Sequence, residues 1–228
     1  MWCKNNIYDW CIIYKKNEDL INNPNHSHYD FFSFYLFHHN MPIMIDSGRG
    51  SYQTSLPHYN SHYPEYHNSV LLNNLSYKPF MTNALPKKYV ESICYVNETS
   101  NSDEYTIDMY ATGFNRINRK INFKREITLS RNSFIISDMI FSHKYFLINN
   151  FFHFDNSLKI DNRKKEFYIN NNSFKYRFSN NRDNVKQITG TDLNNVSYKY
   201  GAFENKKVLS SENIIAIDNA ISHKLQIL

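Results

Sequence analysis

His26-Ser27-His28-Tyr29-Asp30 opens a stretch that closes on His67-Asn68-Ser69-Val70, with Ile45-Asp46-Ser47-Gly48 between them. Each segment sets an imidazole or a carboxylate at the edge of an apolar run. Side chains repeat every two residues along a strand, so His26 and His28 share a face if they begin the strand that follows. Asp46 ends a short apolar segment, and Gly48 permits a tight turn just after it. His67 begins the next segment. Strand ends that converge at one sheet edge make a rigid scaffold for a site. His28, Asp46 and His67 are ligand types for zinc and would leave a fourth position open. With 10 His in the chain, spacing alone leaves a chance arrangement open.

The rest of the chain has the same texture: short apolar or alternating segments punctuated by Asn, Asp, Ser and Lys. That pattern predicts strands. Candidates are 7–14, 29–37, 42–46, 69–72, 89–96, 105–112, 121–129, 134–140, 146–154, 167–170, 174–178, 214–217 and 225–228. The aromatic run of 29–37 suggests burial on both faces. Turn signals recur about every 8–12 residues, as in all-β sandwiches. No amphipathic helix of three or more turns stands out, and there is no repeat or interdomain linker. The expectation is an all-β fold, one antiparallel β-sandwich domain over residues 1–228. Residues 49–66 form a long polar loop rich in Tyr and His, and long loops in compact domains are often functional.

The composition is globular: 228 residues, 41% hydrophobic, 21% charged. Only 5 Gly are present, so Asn is expected to take over turn positions. Eighteen Tyr and 17 Phe suit strands facing a sandwich core, and Tyr also suits sugar binding. The net charge of +5 is spread over the short clusters Lys87-Lys88, Arg163-Lys164-Lys165 and Lys206-Lys207, which read as solvated turns. It is compatible with a polyanion such as an acidic polysaccharide. No nucleic-acid motif is present. Three cysteines set no disulfide framework. The N-terminus lacks the apolar core of a signal peptide, and no apolar run approaches the ~18 residues of a membrane span. The compartment stays open.

The stretch from 26 to 70 resembles the C-terminal β-sandwich module of the heparinase II/III family of polysaccharide lyases, whose pattern runs H-x-H-x-D, then D-x-G, then H-N-[ST]-V. Later landmarks follow in order. A basic segment and a strand with a buried Asp resemble Lys124-Arg125-Glu126 through Ser137-Asp138. Phe151-Phe152-His153-Phe154 is similar to the family's aromatic-His strand, and Ser197-Tyr198-Lys199-Tyr200-Gly201 to its Ser-x-x-Tyr-Gly element. The fold implied is a lyase-type super-sandwich.

The resemblance implies β-elimination on a uronic-acid polysaccharide, glycosaminoglycan or alginate-like. The C5 proton is removed and the C4 oxygen expelled, which needs a neutralised carboxylate, a base and an acid. It also implies a structural zinc on His28, Asp46 and His67, with His26 beside it lining the site. A catalytic Tyr comes from the 49–66 loop; Tyr59 is the best match by position and Tyr63 the next. His58 or His62 could compete with His67 as ligand. His153 reads as an interior histidine, and Arg119 and Arg125 as solvent-facing strand residues. In the family an α/α toroid precedes the sandwich and supplies the carboxylate neutraliser and a second Tyr. Here Met1 lies a few residues before the first strand. A toroid-bearing partner chain is therefore expected, and little turnover by this chain alone. The alternative is a non-catalytic carbohydrate-binding or structural sandwich.

Overall fold

The structure, a computed structural model, describes residues 2–15, 30–48, 63–76, 94–112, 114, 117 and 121–228, apart from 143, 164–165, 172, 183, 190, 200–201 and 216–218. Among these residues there is no α-helix, and eighteen strands form. In chain order they are β1 (Trp2–Ile7), β2 (Trp10–Lys15), β3 (Phe34–His38), β4 (Met41–Met44), β5 (Val70–Leu72) and β6 (Cys94–Ser100). Next come β7 (Glu104–Ala111), β8 (Asn122–Ser130), β9 (Ser133–Phe141), β10 (Phe146–Phe154), β11 (Lys159–Arg163) and β12 (Glu166–Asn170). The last are β13 (Lys175–Asn180), β14 (Val185–Ile188), β15 (Asn195–Lys199), β16 (Ala202–Asn205), β17 (Lys207–Ile215) and β18 (Ala220–Ile227). One eight-stranded sheet has the order β1-β2-β3-β4-β10-β17-β14, with β5 also on β10. The other runs β11-β12-β13-β18-β9-β8-β7-β6, and β15 and β16 make a separate pair.

The chain divides into two compact units, the first 1–70, 150–158 and 186–211, the second 71–149, 159–185 and 212–228. In the first, β1 to β4 form an antiparallel meander. Both of its tight turns rely on left-handed backbone without glycine, at Tyr8 (φ 53°) and at His39 and Asn40 (φ 47° and 63°). Two consecutive left-handed residues give the hairpin turn whose twist matches its strands. The expected strand over 7–14 is thus a hairpin, with Ile7 opposite Trp10. The strand expected over 29–37 starts only at Phe34. A turn closed by the Ser33 N–H on the Asp30 carbonyl (2.9 Å) precedes it, so Phe31 and Phe32 are buried by the turn and not by a two-faced strand.

The second unit shows why alternation matters. Along β8, Phe123, Arg125, Ile127 and Leu129 point to the buried face, and along β9 so do Phe134, Ile136, Asp138 and Ile140. Arg125 lies opposite Asp138 in register. Its Nε and Nη2 donate to the two carboxylate oxygens at 2.7 Å each, and neither side chain is exposed. Arg125 is therefore not a solvent-facing residue: Lys124 and Glu126 take the exposed face, and the period of two turns Arg125 inward. A buried charge needs such a partner.

His223 on β18 is in the same buried layer, its ring stacked on Phe178 at 6.1 Å. Burial, with Arg125 adding repulsion, lowers its pKa to about 3. The folded state therefore holds His223 neutral, while the unfolded chain takes up a proton below about pH 6.5. Stability from this group is present above that pH and declines by about 1.4 kcal/mol per unit as pH falls toward 3. His223→Gln should show a shallower fall in urea-unfolding free energy between pH 6 and 4.5 than the parent chain. Parallel pH profiles would show that His223 is not the group responsible.

Candidate functional site

The first unit gathers most of its buried polar side chains where β4 ends, where β10 ends and where the chain enters β5. Asn68 organises the place. Its amide donates to the Phe34 carbonyl (2.8 Å) and the Ile45 carbonyl (3.0 Å), and its Oδ1 accepts the His153 N–H (2.7 Å). One buried carboxamide thus satisfies backbone groups of three segments. Such groups would otherwise be orphaned where strands stop pairing. The Asn68 N–H donates to Ser33 Oγ (3.1 Å), and Ser33 Oγ donates to Asp46 Oδ2 (2.9 Å).

Asp46 is thereby aimed at His67. Asp46 Oδ2 and His67 Nδ1 are 2.8 Å apart, and the two residues are 5% and 0% exposed. The Gly48 N–H donates to Asp46 Oδ1 (3.1 Å), and Gly48 itself is left-handed (φ 63°), a conformation glycine adopts at no steric cost. His67 follows the short 3-10 turn Pro64–Tyr66, and its own N–H caps that turn on the Pro64 carbonyl. Burial favours the neutral imidazole. The Asp46 carboxylate outweighs it by charge and hydrogen bond, and Asp30 assists, so the His67 pKa rises above its ordinary value.

Two further residues join this cluster that the sequence did not mark. Lys206, 3% exposed, donates from Nζ to Ser47 Oγ, and Ser47 Oγ donates to the Tyr66 carbonyl. Burial brings the Lys206 pKa down to about 7, against the pull of Asp46. Glu65 is the second: burial raises its carboxyl above the usual range. His153 is an interior histidine, as its sequence context suggests. It is fully buried with Nε2 at 3.0 Å from the Glu65 carbonyl, and burial followed by Lys206 repulsion holds it neutral. A neutral ring facing a carbonyl donates from Nε2. Asp30, the last residue of the H-x-H-x-D pattern, pairs with Lys15 at 2.6 Å.

Of the residues marked in the sequence, Asp46 and His67 are therefore brought together. His26, His28 and Tyr59 lie outside the described residues, as do Tyr52, His58 and His62. Tyr63, the second loop candidate, immediately precedes the 3-10 turn. Among the described residues no three His, Cys, Asp or Glu side chains cluster as a metal would require. Replacing Asn68 tests what holds the place together. Asn68→Ala orphans two carbonyls and one N–H, each worth about 1–3 kcal/mol when buried. The variant should lose about 3 kcal/mol or more in urea unfolding; a loss below about 1 kcal/mol would mean that the three segments do not depend on this side chain.

The sequence profile of the heparinase II/III-like C-terminal family matches residues 18–219. No curated protein matches. Among solved structures, the heparan sulfate lyase HepC mutant from Pedobacter heparinus aligns over 99% of this chain with a TM-score of 0.72 at 11% identity. A heparinase III structure aligns over 100% with a TM-score of 0.71 at 15% identity. These alignments take in 34% and 35% of those chains, so this chain spans about a third of the lyase structures it matches. A protein assigned as an aldose 1-epimerase, from Escherichia coli K12, aligns over 100% of this chain and 99% of its own, with a TM-score of 0.53 at 6% identity. At such identities the likeness is one of fold: an all-β antiparallel sandwich.

Proposed function

The chain belongs to the heparinase II/III-like C-terminal family, and on that premise we propose that it is the metal-bearing sandwich of a polysaccharide lyase acting on a uronic-acid polymer. The supporting observation is the buried Asp46–His67 pair, held at 2.8 Å by Ser33, Gly48 and Asn68. Zinc takes imidazole and carboxylate ligands. The pair offers one of each, with the carboxylate oriented by outer hydrogen bonds as metal sites require. His28 is the third ligand of the proposal, and His26 lines the same place. A zinc ion bound there would supply a cross-link between strand ends and fix the segment that begins at residue 49.

Elimination moves the C5 proton to a base, breaks the C4–O bond and protonates the departing oxygen, leaving a C4–C5 double bond. Tyr59 is proposed for the acid or base role. The neutraliser of the uronate carboxylate and a second Tyr are proposed to come from a toroid, in a partner chain or another segment. Losing one electrostatic donor typically lowers the rate by ~10²–10³. Losing the neutraliser and most of the cleft together should cost more, so this chain alone should form no unsaturated uronate product, read by its ultraviolet absorbance on a panel of uronate polymers. Robust elimination by the chain alone would overturn the division of labour.

Lys206 favours a second reading. Buried near Asp46 and donating to Ser47, it would help hold that carboxylate without any metal, as a non-catalytic carbohydrate-binding or structural sandwich would need. Metal analysis separates the two. The lyase reading expects about one equivalent of zinc, lost in His28→Ala and in His67→Ala. Full occupancy in the His28→Ala/His67→Ala double variant would remove the assignment, and a metal-free parent chain would favour the second reading.

A further inference from the structure

The exposed face of the second unit carries an aromatic cluster that neither reading uses. On the antiparallel strands β6 to β9, register places Tyr95 opposite Tyr110, Tyr110 opposite Lys124, and Asn122 opposite Phe141. The inward neighbours Ala111 and Phe123 belong to the buried face, so these residues share the outer one. The Tyr95 and Tyr110 rings stack at 4.7 Å between centroids with 11° between planes. Tyr95 is 46% and Phe141 42% exposed. With Thr112 and Asn122, and with Ala111 and Phe123 at its floor, they line a recess of about 270 Å³ at this end of the strands.

The charges beside the recess decide what it can take. Lys124 lies 5.6 Å from the Tyr110 ring centroid. It is already held by Asp108 Oδ1 and Glu126 Oε2 at 2.8 Å each. Among the described residues beside the recess, one cation stands against two carboxylates, which disfavours a uronate or sulfated ring there. Flat rings edged by a carboxamide and a hydroxyl suit a ligand with an apolar face and a polar rim. The volume falls just under the ~300 Å³ at which drug-sized pockets begin, which is room for one ring.

We propose that Tyr95, backed by the stacked ring of Tyr110, and Phe141, with Asn122 at the rim, form a stacking site for a single neutral pyranose ring. The site is separate from the Asp46–His67 cluster and takes the opposite ligand class from the polymer proposed for it. It does not depend on the metal or on the lyase reading.

The test is titration of the full chain with neutral cello-, malto- and chito-oligosaccharides, and in parallel with polygalacturonate, followed by NMR of the tyrosine and phenylalanine rings. The expected result is saturable shifts of the Tyr95, Tyr110 and Phe141 resonances with a neutral oligosaccharide. Removing an anchoring aromatic ring at a binding surface should weaken that binding about 10-fold or more in Tyr95→Ala and in Phe141→Ala. Ile214→Ala, which removes an exposed apolar residue outside the recess, should bind as the parent does. Thermal melts check that each variant folds, and ring shifts on the unsubstituted chain decide the matter if one does not. Absence of shifts with every neutral oligosaccharide, equal affinity in the folded Tyr95→Ala and Phe141→Ala variants, or shifts with polygalacturonate alone would each overturn the proposal. None of these outcomes bears on the metal.

Discussion

The carboxamide of Asn68 is the interaction on which the first unit's site depends. Strands must end somewhere, and at each end backbone groups lose their ladder partners. In this unit β3 begins, β4 ends and β10 ends within reach of one side chain, which answers two carbonyls and one N–H. Its own backbone N–H then fixes Ser33, and Ser33 fixes Asp46. The place of Asp46 and His67 is therefore set by backbone satisfaction as much as by their mutual attraction. An aspartate in place of Asn68 would keep an acceptor for His153 and turn a carboxylate on two carbonyl oxygens.

Each unit also buries charge, and the two solutions differ in kind. Arg125 and Asp138 sit opposite each other on neighbouring strands, with two guanidinium N–H groups on the two carboxylate oxygens. That geometry fits a guanidinium to a carboxylate and ties the two strands together. Asp46 is surrounded by unlike partners: an imidazole, a hydroxyl, a backbone N–H and the field of a buried ammonium. Asp46 raises the His67 pKa outright, and at Lys206 it works against the burial that lowers the pKa. Perturbed titration in a mixed cluster is more typical of sites than of scaffolding.

The sequence made the all-β class and the Asp46–His67 pairing legible, because short alternating runs and the D-x-G and H-N-[ST]-V segments are local signals. β10, Phe146–Phe154, falls where its apolar run ends. Strands without an apolar run were not legible: β11 reads Lys-Ile-Asp-Asn-Arg, and β14 Val-Lys-Gln-Ile. β1 was hidden because its turn uses a left-handed Tyr8 where a glycine or asparagine would have announced it. Arg125 was misread because its neighbours are charged, although alternation along Asn122–Ser130 points it inward. Lys206, read with Lys207 as a solvated turn, is instead buried, since it meets Ser47 across 159 positions of sequence and no motif links them.

Burial finally limits what the cluster can do. His67 is 0% and Asp46 5% exposed, and neither can lie against a polysaccharide. Whatever they contribute to chemistry passes through the chain they position. That chain leaves at Gly48, whose N–H rests on Asp46, and returns at Tyr63, one residue before the turn that His67 caps. Both ends of the Tyr- and His-rich segment are thus pinned to one carboxylate–imidazole pair, and Ser47 ties them together again through the Tyr66 carbonyl. What the structure shows of Asp46 and His67 is that they hold these two chain ends together.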